Sequence, residues 1–413
     1  MPANKDLQTD KTQMDHPLII KRVRPMGGAV SDVLVCSGYI QQIADNIVDL
    51  DGNAVIYEGR DQLLLPGLVN AHAHVDKNLI GLPWQKNQVS GSSISDLMLH
   101  EREVWSKLGL NSRTQSALQV RVAIASGTTH IRSHVDIDPE LGPEHFDGVL
   151  ATRAEFKDFL SMQLVAFPQG GLLTRPGALE SMESALQKGA DCVGGIDPST
   201  IDRDPVRHLD TIFGLADRYG VEIDIHLHEP GMLGGFAMEL ICERTKALGY
   251  QGRVTISHAF CMGMIEDAYL GKLIDLFLDN RITIMSAGSG GTPLPPLKRL
   301  IEAGVSLCTG TDGVRDLWSP YNSVDMLDRV KMLGYRNRIR NDEDIEILLD
   351  IASNRGARIM GDSDHGVSVG NQADLIVMPG DTPTHAVIDQ PLRTYVFKHG
   401  HLVAENGKCI KPN

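Results

Sequence analysis

The chain has 413 residues, 53 acidic against 39 basic, for a formal net charge of −14, and 42% of its residues are hydrophobic. This composition is globular, and the length is ample for a large buried core or for several domains of about 150 residues. The acidic balance argues against the basic face that nucleic acid or an anionic membrane surface requires, and no apolar run approaches the ~18 residues of a spanning helix.

The N-terminal stretch MPANKDLQTDKTQMDH is polar and has no apolar targeting segment. The six cysteines, Cys36, Cys192, Cys242, Cys261, Cys308 and Cys409, form no Cys-x-x-Cys pair. Both features predict a cytoplasmic protein without a disulfide framework. Residues 17–65 carry short strand patterns broken by turns (PLIIKRVRPM, SDVLVCSGYIQQIA, AVIYEGRDQLLL). Eight apolar runs ending in polar residues then follow: LLLPGLVNAHAHVD, TTHIRSHVD, MQLVAFPQ, DCVGGIDP, VEIDIHLHE, VTISHAF, ITIMSAGSG and VSLCTGTDG. Rich in Val, Ile and Leu, and too short for typical helices, they read as buried parallel strands.

Their polar ends are His72, His134, Gln169, Asp197, His226, His258, Ser286 and Asp312. After a longer first gap these lie about 30 residues apart, the length of a strand, a helix and two loops. Stretches between them, such as DPVRHLDTIFGLADRYG, place apolar residues at three- and four-residue spacing and end at Gly. Eight such units predict a (β/α)₈ TIM barrel, with the active site where the C-terminal strand ends meet. The first gap holds an insertion, SSISDLMLHEREVWSKLGL, predicted to be helical. Residues 366–409 return to hairpin patterns. Neither end is long enough for a robust β domain, so the two are expected to meet in one small β-sandwich beside the barrel. The expected division is 1–65 and 363–413 for the sandwich and 66–362 for the barrel. No low-complexity linker separates these parts, which predicts a rigid assembly.

His72 and His74 stand at i, i+2, so on a strand they share one face. With 15 histidines in the chain, one such pair is weak evidence. This pair follows an apolar run at the first barrel strand, while His226 ends the fifth and Asp312 the eighth. Imidazoles and a carboxylate suit Zn²⁺ or Fe²⁺, and a position left open to water makes such a site catalytic. The pair His399/His401 lies in the C-terminal hairpin and reads as a turn or edge feature.

NAHAHVD, IHLHE, SHAF and GTDG together resemble the amidohydrolase superfamily, and VAFPQGG and RSHVD resemble its cytosine-deaminase-like branch. The resemblance covers nearly the whole chain. HVDK (74–77), VGGIDPST (193–200) and VRDLWSPY (314–321) are closer still to the branch's s-triazine-degrading members. Cytosine deaminases resemble one another in a second Asp after the strand-eight Asp, where this chain has Gly313, and in a small residue where it has Lys77. Both departures count against cytosine itself. The resemblance implies one divalent ion held by His72, His74, His226 and Asp312, since the fourth strand ends VGGIDP without the Lys that bridges two metals. It implies Glu229 as proton shuttle, His258 as the residue that positions the attacking water or polarises substrate, and Gln169 as a partner of the ring's amide edge. It also implies a homo-oligomer.

The chemistry is consistent. A divalent ion lowers the pKa of a bound water from about 15.7 toward ~7. Hydroxide attack on a ring carbon bearing an amino or alkylamino group needs a group that takes one proton and delivers others, a task for Glu229. Asp312, a carboxylate on the metal, can orient the hydroxide. Gln169 offers both donor and acceptor. Trp318 or Trp84 can stack on the ring, with core packing as the alternative. Lys77 either contacts a carbonyl or anionic ring or forms a salt bridge. His228 shares a strand face with His226 and is placed to line the pocket. Asp197 either touches substrate or caps the helix start at Pro198 and Ser199. His134 and Asp136 either support the ligands from behind or form structural hydrogen bonds.

The expected function is therefore a metal-dependent hydrolase removing an amino or alkylamino group from a small N-heterocycle of aminopyrimidine or s-triazine type. Its rivals are a cyclic-amide ring hydrolase using the same site, a silent scaffold, which should have lost ligands, and a phosphosugar enzyme using SAGSGG (286–291) as a phosphate nest.

Overall fold

The computed structural model describes residues 16–88 and 93–412, so the polar N-terminal stretch up to Asp15 lies outside the described residues. In chain order the strands begin with β1 (Leu18–Pro25), β2 (Ser31–Cys36), β3 (Tyr39–Ala44) and β4 (Val55–Pro66). The barrel strands follow: β5 (Leu68–Ala73), β6 (Thr128–Asp136), β7 (Ser161–Phe167), β8 (Cys192–Ile196), β9 (Glu222–Leu227), β10 (Val254–His258), β11 (Thr283–Met285) and β12 (Ser306–Cys308). The chain ends with β13 (Leu375–Met378), β14 (Tyr395–Lys398), β15 (His401–Glu405) and β16 (Lys408–Cys409).

Strands β5 to β12 pair in sequence order, every pair parallel. All eight coincide with the apolar runs, because a strand covered on both sides has no polar face to alternate. Helices connect them and pack outside; the one at Pro205–Tyr219 shows why they start and stop. Asp204 accepts the Arg207 N–H, Pro205 opens the first turn, and Gly220 closes the helix at φ 69°. The insertion between β5 and β6 is helical over Ile94–Leu108, opened by a reciprocal Ser93–Asp96 capping box.

The seam between β12 and β5 closes through backbone bonds, Ala71 N–H to Thr309 O (3.0 Å) and Asp312 N–H to His72 O (2.9 Å). Gly310 lies in that seam because nothing larger fits: a Cβ there would lie 2.2 Å from the His72 carbonyl oxygen. The two ends of the chain do meet. They form one continuous eight-stranded sheet in the order β16-β15-β14-β13-β4-β1-β2-β3, with β1 parallel to β4. This sheet curls. Residues 370–373, just before β13, hydrogen-bond back to Ile40 in β3 and to Gly38 just before it, and side chains of both halves, among them Ile20, Val33, Ile40, Leu375 and Phe397, share one core. Among the described residues no helix is long and apolar enough to cross a membrane.

Candidate active site

Strand alternation and the parallel order bring the polar strand ends to one rim. His72 and His74 rise from the end of β5, His134 from β6, Gln169 just past β7, His226 from β9, His258 from β10, and Asp312 just past β12. Asp197, His258 and Asp312 all have left-handed backbones, at φ 33°, 70° and 63°. A non-glycine residue there costs about 1–3 kcal/mol, and such strain gathers at functional sites.

The donor atoms converge. Nε2 of His74 lies 3.3 Å from Nε2 of His226 and 3.4 Å from Asp312 Oδ1, and His72 Nε2 lies 3.8 Å from the same oxygen. Two ligands ~2.1 Å from an ion at a tetrahedral angle stand about 3.4 Å apart, so these pair distances suit coordination. The tightest groups of donor atoms here, each within 4.8 Å, are His72–His134–His226 and His72–His258–Asp312, which share His72. Burial first, and the neighbouring rings second, hold His72 and His226 well below the usual imidazole pKa; for His74, Lys77 adds to burial. All three are therefore neutral and able to coordinate. Burial alone would raise Asp312, but the adjacent His258 and His72 and a backbone N–H bring it down to about 2. His72 Nδ1 is taken by Ser257 Oγ at 3.1 Å, and Ser257 in turn donates to Asp224 at 2.6 Å. That leaves His72 Nε2 buried and without a partner, aimed into the cluster. The residues fit a metal ion.

His134 stands closer to this cluster than the strand pattern required. Its ring centroid is 4.2 Å from that of His72 and 4.5 Å from that of His226, and its Nε2 lies 3.6 Å from Asp224 Oδ2. Asp224 and Ser257 escaped sequence reasoning. The signal for Asp224 was its place two residues before His226, on the same strand face.

Glu229 is buried just past β9, three residues after His226. Its Oε1 accepts from the Ser199 and Thr200 N–H groups at 2.6 and 2.7 Å, while Oε2 has no partner. Burial raises its pKa against those two bonds, and the Asp197 charge adds to the rise. His258, pushed down to about 4 by burial, stacks on His228 with centroids 4.6 Å apart. Asp197, expected to touch substrate or to cap a helix, bonds instead to the residues after β9. Its carboxylate accepts from the His228 and Glu229 backbone N–H groups at 2.6 and 3.2 Å and pairs with His228 Nδ1 at 2.7 Å, so it stands behind these residues and orients them. Burial opposes a charge on His228, but the Asp197 charge and hydrogen bond outweigh it and raise its pKa.

A cavity of about 550 Å³ opens over the cluster, lined by His74, His226, His228, His258 and Asp312 on one side and by Lys77, Gln169, Asp316 and Trp318 on the other. Lys77 is buried, not a surface residue. Its Nζ meets Asp136 at 3.1 Å and Glu101 at 3.6 Å, donates to Gln169 Oε1, and lies 5.5 Å from the Trp318 ring centroid. Gln169 Nε2 donates to Glu101 at 3.1 Å, so the amide is clamped at both ends. Glu101 comes from the inserted helix and was not foreseen; a buried Glu on a charged-looking helix gives no sequence signal. Trp84 is 68% exposed and does not line the cavity. Carbonyls of the SAGSGG stretch accept from Arg329 and Arg336, which commits those arginines to the backbone. His399 and His401 flank the turn between β14 and β15, away from the barrel cavity.

Residues 109–404 match the Amidohydrolase family. The chain is 30% identical over 357 residues to the N-isopropylammelide isopropyl amidohydrolase of Pseudomonas sp. (strain ADP), covering 84% of this chain and 88% of that protein. Among solved structures it resembles N-isopropylammelide isopropylaminohydrolase from Burkholderia multivorans ATCC 17616 (TM-score 0.91, 37% identity, 95% and 100% of the two chains). It also resembles 5-methylcytosine deaminase from Klebsiella pneumoniae liganded with 5-fluorocytosine (TM-score 0.81, 25% identity, 94% and 97%).

Proposed function

The chain belongs to the amidohydrolase family, and from that premise we propose that it removes an amino or alkylamino group from a small N-heterocycle, of aminopyrimidine or s-triazine type, with the help of one divalent ion, Zn²⁺ or Fe²⁺. Support comes from the ring substrates named for its relatives and from the convergence of His72, His74, His226 and Asp312. The observation that carries the reading is Glu229, three residues past His226, with one oxygen fixed and the other buried without a partner.

When bound, the ion supplies a water of lowered pKa and a positive charge that favours attack on a ring carbon. Ser257 holds His72 with Nε2 forward, and Asp197 holds His228 against His258. Glu229 Oε2 receives one proton of the attacking water and delivers it to a ring nitrogen; on collapse it takes the second proton, from the newly formed C–OH, and hands it to the departing nitrogen. Burial raises its pKa above the usual carboxylate value, which favours its taking up and holding a proton. A C–O bond forms, the exocyclic C–N bond breaks, and the amine leaves neutral. Trp318 and Phe260 flank the cavity as ring walls, and the Lys77–Gln169–Glu101 chain forms its polar side.

The test is zinc- or iron-loaded protein offered N-isopropylammelide, 5-methylcytosine and a panel of aminotriazines and aminopyrimidines. Release of isopropylamine or ammonia is the expected result. Silence across the panel would overturn the reading, and a product heavier by one water with no amine lost would indicate ring hydrolysis instead.

A further inference from the structure

The loop after β12 contains Asp316, a buried carboxylate whose two oxygens are placed differently. Oδ1 accepts the backbone N–H groups of Trp318 and Ser319, at 2.9 and 2.7 Å, and so fixes the turn that presents Trp318. Oδ2 takes no part in those bonds. It occupies the space above Gly313: a Cβ at that position would lie 1.8 Å from it. Asp316 and Gly313 line the same cavity as Asp312 and Lys77. The loop is pinned from outside, with Arg315 O accepting the Leu79 N–H at 2.9 Å and Asn322 Nδ2 donating to Gly313 O at 2.7 Å. The absent side chain at 313 thus leaves the space that the carboxylate three residues later occupies at the cavity wall.

We propose that Asp316 Oδ2 is a specificity-determining acceptor that reads a ring N–H of the substrate, so that the enzyme selects heterocycles presenting a lactam-type N–H on the edge facing Asp316. This rests on the functional reading above and deepens it. Lys77 is already paired with Asp136 and Glu101, and Gln169 is clamped between Lys77 and Glu101. On this side of the cavity that leaves Asp316 with an oxygen to offer. Burial pushes its pKa up to about 6, which keeps it an acceptor at neutral pH. A site that hydrogen-bonds a substrate N–H rejects the analogue lacking it, because the buried acceptor is then left unpaired.

Asp316→Asn isolates this role. The amide oxygen still serves Trp318 and Ser319, while the atom facing the cavity changes from acceptor to donor. The measurement is kcat/KM for ring substrates in which each ring N–H is methylated in turn, in wild type and variant, read as a double-substitution cycle. For one ring position the preference for N–H over N–CH₃ should collapse by about ten- to a hundredfold in Asp316→Asn, with metal content unchanged. Gly313→Ala, which displaces the carboxylate without altering it, should cause the same collapse. A preference unchanged at every ring position, with wild type active, overturns the proposal alone. Loss of metal from Asp316→Asn also overturns it, marking Asp316 as support for the ligands. A wild type inactive on every ring overturns the functional reading and the proposal with it.

Discussion

Glu229 and His72 make separable demands at the scale of single residues. Gln in place of Glu229 keeps the oxygen that Ser199 and Thr200 hold but can no longer accept a proton. Glu229→Gln should therefore lower turnover by about 10²–10⁴-fold while the metal-to-protein ratio stays at the wild-type value. His72→Ala should lose metal and activity together. Elemental analysis beside turnover checks both, and a Glu229→Gln enzyme of near-wild-type rate would contradict the assignment. Glu101 makes a prediction about pH. Burial, opposed by Lys77 and reinforced by Asp136 and Asp316, lifts its pKa from 4.5 to about 7. A pKa raised by folding means that the folded state favours the protonated form. Its contribution to stability is complete below pH 4.5 and is lost as pH rises through about 7. Glu101→Gln removes that loss, so its thermal midpoint relative to wild type should climb between pH 5 and 8. A pH-independent difference would sink the idea.

Elements differ in how far the sequence announces them. The barrel strands were legible because strands covered on both faces are apolar without alternation, and the helices because Gly and caps mark their ends. His72, His74, His226, His258 and Asp312 were legible as polar residues ending apolar runs. The Glu101–Gln169–Lys77 chain was not, since it depends on how the inserted helix docks, and a helix's own pattern does not encode its neighbour. The partners of Asp197 were hidden for a related reason: an Asp before Pro-Ser reads as a cap or a ligand contact, whereas the backbone groups it bonds, at His228 and Glu229, follow the next strand. Nor do hairpin patterns reveal that β4 inserts between β1 and β13. The seam at β5 gives the element-scale prediction. Gly310→Ala would force a methyl group against the His72 backbone. It should destabilise the protein by about 1–3 kcal/mol and weaken metal retention. Denaturant midpoints and metal content check this, and a midpoint equal to wild type would show that the seam tolerates the methyl.

The whole molecule is held by a buried polar junction between barrel and terminal sheet. Lys398 on β14 meets Asp374 at 2.6 Å, Asp374 Oδ1 accepts the His399 N–H at 2.7 Å, His130 on β6 meets Asp362 at 3.2 Å, and His365 donates to Gly67 O at 2.7 Å. Their donor atoms could suggest a second metal group, but the Lys398 ammonium already supplies the positive charge. Lys398→Met should leave Asp374 as an uncompensated buried charge and cost about 3–5 kcal/mol. Chemical denaturation measures it, and a loss below about 1 kcal/mol would mean that the junction is not a stabilising pair.

The barrel seam also bears on the order of events in synthesis. Asn70 and Thr311, 241 residues apart, bond across it side chain to side chain, and Asp312 donates its backbone N–H to His72. The first two imidazoles emerge from the ribosome long before the carboxylate that joins them. The donor set is incomplete until this seam has closed, at the entropic cost of closing so long a loop. Any ion that then occupies the set acts as a latch on the seam. At a thousand times its dissociation constant it would hold the finished barrel shut by about 4 kcal/mol.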